Sequence, residues 1–143
     1  MNRYAFISLL MAAISFSSCE KDAGEGGTST IVGRVLVYRY DINQTAVADT
    51  VLGSREDVYI IYGGDDSVYD DDFEASYDGS YRFSNVRKGK YTLFAYSKDT
   101  TGLFQSFFPN GQSSLRIPVK VNVEITDNKS EVQAPDIIIF DER

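Results

Sequence analysis

From Leu115 to Ile125 the chain alternates without a break. Leu115, Ile117, Val119, Val121, Val123 and Ile125 interleave with Arg116, Pro118, Lys120, Asn122 and Glu124. Successive side chains of a strand point to opposite faces, so a period of 2 over this length demands a strand with one face buried and one wet. Pro118 cannot donate to a ladder, which places the strand at a sheet edge or a bulge. Other segments read the same way. Ile31 to Tyr40 is rich in β-formers, and Gly33 inside it marks a bulge or a close backbone approach. Val58 to Tyr62 is a short apolar strand closed by Gly63-Gly64. Phe73 to Tyr77 and Ser80 to Phe83 flank Asp78-Gly79 and read as a hairpin, because Asp-Gly supplies the positive φ of a tight turn. Lys90 to Ser97 follows a turn at Arg87-Lys88-Gly89. Leu103 to Phe108 is stopped by Pro109-Asn110-Gly111, and Ile137 to Phe140 closes the chain. No stretch after Cys19 sustains apolar spacing at i, i+3, i+4 and i+7. The expectation is an all-β fold: a seven- to eight-stranded antiparallel sandwich, with Asp41 to Glu56 as a long connection.

Composition removes much chemistry. The 143 residues suit one domain, and 43% apolar with 24% charged residues is an ordinary globular balance. The net charge of -7 argues against nucleic acid as a partner, since phosphate binding needs a basic surface. There is no His, which excludes Ser-His-Asp and Cys-His catalysis and every His-containing zinc site. One Cys permits no internal disulfide and no thiolate cluster. The expectation is a protein that is not an enzyme and carries no cofactor.

The N-terminus reads as an address. Met1 to Tyr4 carries one positive charge, and Ala5 to Phe16 gives twelve mostly apolar residues without a charge. That is too short to span a bilayer and the size of a signal-peptide core. Ser17, Ser18 and Cys19 follow, and the chain turns polar. This run resembles a bacterial lipobox, with Phe16 where Leu is usual. The resemblance implies cleavage before Cys19 and lipidation there. The plain alternative is an ordinary secretory signal. The expected organisation is residues 1–18 as lipoprotein signal peptide, 19–29 as a flexible tether with Gly24, Gly26 and Gly27, and 30–143 as the β-domain. Glu20, Lys21 and Asp22 are similar to the acidic export signals of Bacteroidetes surface lipoproteins. The implied location is the outer membrane, facing the periplasm or the cell surface.

A second resemblance lies in the domain. Thr30 to Val35 is similar to the first strand of carboxypeptidase-regulatory-like domains. Tyr77 to Leu93 resembles their signature D-G-x-Y-x-F-x-x-V-x-x-G-x-Y-x-L through Asp78, Gly79, Tyr81, Phe83, Val86, Gly89, Tyr91 and Leu93. The resemblance implies a transthyretin-like Greek-key sandwich, in a family whose domains are mostly non-catalytic spacers or binding surfaces. Asp41 to Glu56 departs from the family, being longer and lacking its small-residue passage.

Three residue groups are candidates for a site. Asp65, Asp66, Asp70, Asp71, Asp72 and Glu74 fall within ten residues and supply the oxygen ligands calcium prefers. Their spacing fits no EF-hand, one loop supplies too few ligands, and a solvated, self-repelling acidic loop is the favoured reading. Arg82, Arg87, Lys88, Lys90 and Lys98 form a basic stretch that pairs with that loop, docks a neighbouring acidic chain or, the favoured reading, faces solvent. The aromatics are more informative: 10 Tyr, 9 Phe and no Trp make 13% of the chain. Phe94, Tyr96, Phe104, Phe107 and Phe108 exceed what one inner face per sheet can bury. They are the expected ligand or partner surface, unless the Asp41 to Glu56 connection covers them. Exposed rings of this kind stack on sugars or form protein contacts. Two functions follow: a membrane-anchored scaffold or binding module, for glycan or another envelope protein, or a fimbrial or adhesin-type structural subunit.

Overall fold

The structure is a computed structural model that describes residues 22–40, 46–64, 68–99 and 115–142. These residues form strands and turns and contain no helix. Nine strands occur among them: β1 Glu25–Tyr40, β2 Val47–Leu52, β3 Asp57–Tyr62, β4 Asp71–Glu74, β5 Ser80–Val86, β6 Gly89–Lys98, β7 Arg116–Ile125, β8 Glu131–Gln133 and β9 Ile137–Glu142. Two sheets result. One is organised around β1, with β2, β5, β8 and β9 paired to it; the other runs β4-β3-β6-β7.

The core fills the space between the sheets. Ile31, Val35 and Val37 of β1, Tyr81 and Phe83 of β5, and Ile137 and Ile139 of β9 come from the first sheet. Val58 and Ile60 of β3, Leu93 and Ala95 of β6, and Val123 and Ile125 of β7 come from the second. The period of 2 in each strand is what sends these residues inward and their neighbours outward. The alternation at Leu115 to Ile125 is realised as β7, which among the described residues is an edge strand, one of the two placements Pro118 permits. Gly33 marks a close approach rather than a bulge: the Tyr81 ring lies over it, and a Cβ there would sit 2.2 Å from the ring's Cζ.

β1 is sixteen residues long and serves two sets of neighbours. Its first half pairs with β5 and β8, its second half with β2 and β9. The pairings with β8 and β9 are parallel, so the sandwich is not wholly antiparallel as expected. Alternation within a strand carries no sign of its partner's direction, which is why the sequence reading missed this. Ser97, buried on β6, accepts the Phe140 N–H at 2.9 Å and ties β9 to the other sheet.

Three further expectations need correction. The Asp78-Gly79 turn exists: Gly79 has φ 76°, and its N–H donates to Ser76 O at 2.9 Å. The strands it joins are not a hairpin, because β4 pairs with β3 and β5 with β1. The turn is a corner carrying the chain between sheets, held by Val35 N–H donating to Gly79 O at 2.8 Å. The long connection also contains a strand, β2, paired with β1. Finally, β1 begins at Glu25, inside the stretch expected to be a flexible tether. Glycine-rich composition suggests freedom, but here the glycines permit close packing: a Cβ on Gly27 would fall 2.0 Å from Val86 O.

Candidate functional site

The outward face of the second sheet gathers rings. Val58, Ile60, Leu93 and Ala95 point into the core, so Tyr59 on β3 and Phe94 and Tyr96 on β6 point away from it. The pairing sets Tyr59 opposite Phe94, and the two rings stack with centroids 5.0 Å apart. Tyr96 meets Tyr59 edge-on at 5.5 Å and Phe94 edge-on at 5.6 Å. Tyr69, from the segment before β4, packs on Tyr59 at 4.7 Å. Phe94 is 6% exposed and forms the floor; Tyr69 at 45% and Tyr96 at 39% stay open to solvent. Within the long connection, β2 pairs with β1 in the other sheet.

Polar groups border the rings. Asp72 is opposite Tyr59 on β4 and shares its face. On β7, Lys120 is opposite Phe94 and Asn122 opposite Thr92. Burial, followed by the carboxylate of Asp57 and then by Tyr69, Asp72 and Tyr96, pushes the Tyr59 phenol above its ordinary pKa, so it remains a neutral donor. Further along the sheet, Thr92 Oγ1 lies 3.0 Å from Asn122 Oδ1 and 3.1 Å from Gly64 O. These residues, with Gly63, Lys90 and Glu124, line a cleft of about 520 Å³. A flat apolar platform beside donors and acceptors can bind a ligand that has both an apolar face and hydroxyls.

A second cleft, of about 650 Å³, opens where β1, β5 and the β8–β9 segment meet, among Gly33, Arg34, Tyr81, Arg82, Gln133 and Asp136. Tyr81 is 2% exposed, and its hydroxyl has no hydrogen-bond partner among the described residues. Burial, then the Asp136 carboxylate, raises its pKa.

Of the expected site residues, Phe94 and Tyr96 come together. Cys19, Phe104, Phe107, Phe108, Asp65 and Asp66 lie outside the described residues. Asp72 borders the rings, and Asp70, Asp71 and Glu74 serve local structure. Asp70 Oδ2 accepts the Tyr62 N–H at 2.7 Å, Asp71 Oδ1 accepts the Asp72 N–H at 2.9 Å, and Glu74 meets Arg55 at 3.3 Å. Among the described residues no group of three or more acidic side chains is placed to hold a metal. Two members of the basic stretch find partners outside this loop: Arg82 binds Glu131 of β8 at 2.7 Å, and Arg87 Nε donates to Asp22 O at 2.8 Å.

Sequence reasoning missed Tyr59 and Tyr69. The signal for Tyr59 was present: in Val58 to Tyr62 the period of 2 puts it opposite in sense to Val58 and Ile60. Tyr69 lies in a turn, where periodicity gives no direction.

No family model and no curated protein matches the chain. Among solved structures it is similar to a Pseudomonas aeruginosa protein proposed to bind carbohydrate, at 13% identity and a TM-score of 0.48, covering 83% of this chain and 92% of the other.

Proposed function

We propose that the protein is a non-catalytic, lipid-anchored module of the bacterial envelope whose outward aromatic face binds glycan. One observation carries the binding reading: Tyr59, Tyr69, Phe94 and Tyr96 form a contiguous ring cluster outside the core. Pyranose rings present a flat C–H face that stacks on such rings, while Asp72, Lys120 and Asn122 at its border suit sugar hydroxyls. The lack of His and the position of the one Cys in the lipobox support a role without catalysis. The same lipobox supports anchoring in the outer membrane through Cys19.

The fold type belongs to this reading. Tyr81, Phe83, Val86, Tyr91 and Leu93 of the signature are all buried. The chain crosses between sheets after β2, β4, β5 and β7, which supports a transthyretin-like Greek key.

The test is a glycan array probed with the detergent-purified lipoprotein, beside a variant carrying Tyr69→Ala and Tyr96→Ala. Retained glycans that the variant releases support the proposal. An array on which both proteins behave alike overturns it.

A further inference from the structure

We propose that the end of the domain formed by the β5–β6 and β7–β8 turns rests against the bilayer, because the chain between the lipid and the fold is too short to lift it away. The inference builds on the reading of Cys19 as lipidated and adds the orientation of the domain.

The segment after Cys19 is clamped almost at once. Arg87 reaches back with Nε to Asp22 O at 2.8 Å and with Nη1 to Glu25 O. Its backbone N–H donates to Gly24 O at 2.8 Å. Gly24 N–H donates to the Tyr91 hydroxyl at 3.0 Å, and that hydroxyl donates to Arg87 O at 2.6 Å. Gly24 is buried, and a Cβ there would sit 2.7 Å from Arg87 Nη2. Gly89 is equally confined: its Cβ would meet Ala23 Cβ at 2.6 Å. From Asp22 onward, then, the chain belongs to the domain.

Only Glu20 and Lys21 separate Cys19 from Asp22. Three residue steps reach at most about 11 Å fully extended. The clamp therefore lies within about that distance of the lipidated sulfur, and the Arg87–Lys88 turn with it. The β7–β8 turn shares this end, since Lys129 N–H donates to Thr28 Oγ1 at 3.1 Å. Charges of both signs occur here, Lys88 and Lys129 beside Glu25 and Asp127, so tether length rather than attraction to anionic lipid sets the contact. At about 3.3 Å per strand residue, Phe94 and Tyr96 stand about 15–25 Å further out along β6. The ring cluster is thus held beyond the headgroups, facing sideways into the envelope.

The experiment uses the full lipidated chain carrying Lys88→Cys or Arg116→Cys, each labelled with a fluorophore. Cys19 is blocked by its own lipid. Each protein is anchored in phosphatidylcholine vesicles containing a headgroup nitroxide. Lys88 sits at the clamp end and Arg116 at the far end of β7. The expected result is several-fold stronger quenching at residue 88 than at 116, unchanged by salt, and reduced contrast when Arg87→Ala releases the segment. Equal quenching on anchored protein overturns the orientation alone. Loss of the contrast in salt overturns the tether argument. A chain of unlipidated mass that fails to join vesicles overturns the anchor reading and this inference with it.

Discussion

Tyr59 and Phe94 stack face to face across β3 and β6, their ring planes 20° apart, on the side of the sheet that the core does not use. Phe94 is buried by this arrangement and Tyr96 is not. The two rings of β6 should therefore separate stability from binding. Phe94→Ala should destabilise by about 3 kcal/mol, as large-to-small changes at buried aromatics do. Tyr96→Ala should cost about 1 kcal/mol of stability but lower glycan affinity about tenfold. Urea unfolding beside a binding titration on both variants checks this.

Gly33 and Tyr81 are opposite each other on β1 and β5. The ring occupies the space a side chain would need. Gly33→Ala should cost about 1–3 kcal/mol by overpacking. In a Tyr81→Ala background the same change should cost less than about 0.5 kcal/mol, because the clash is gone. A double-mutant cycle by chemical denaturation measures the coupling.

Glu56 gives a pH signature. Burial is the largest influence on it; Arg116 opposes, Asp141 and Asp57 add, and its pKa is raised above the usual 4.5. The native state then holds this proton more tightly than the unfolded chain, so stability is full below the unfolded pKa and falls as pH rises through the folded one. Glu56→Gln should melt higher than the parent near about pH 7 and gain nothing near about pH 3.5. Melting curves at both pH values decide it.

The acidic segment should not bind calcium tightly. Asp70 and Asp71 already accept backbone N–H groups, and Glu74 faces Arg55. A tight site needs several oxygens converging from a shaped loop, and about 1 mM calcium should leave the melting temperature unchanged. A saturable calorimetric heat lost in Asp70→Asn would contradict this.

The strands were legible wherever alternation ran long enough to fix a face, as at Ile31 to Tyr40 and Leu115 to Ile125. Tyr81, Phe83, Tyr91 and Leu93, singled out through the resemblance, are buried. What escaped was non-local. Asp78-Gly79 marks a turn equally well in a hairpin or in a corner between sheets, and only the pairing of β5 with β1 distinguishes them. β8 spans just Glu131–Gln133, too short for a period to show. Gly24 and Gly27 looked like tether because composition cannot say that Arg87 and Val86 pack against them. At the site, Phe94 and Tyr96 stood out by crowding, whereas Tyr59 joins them only through the β3–β6 register and Tyr69 only through the fold.

Glycan binding at the ring cluster can be followed at the tyrosines themselves. Tyrosine-ring NMR of protein carrying ¹³C-labelled tyrosine, titrated with a glycan retained on the array, tests it most directly. Tyr77, 84% exposed at the β4–β5 corner, makes no ring contact with the cluster among the described residues and serves as an internal control. Binding at the cluster gives saturable shifts at Tyr59, Tyr69 and Tyr96 with Tyr77 unmoved. Shifts at Tyr77 or Tyr81 while the cluster stays silent would place the binding elsewhere and rule the cluster out as the glycan site.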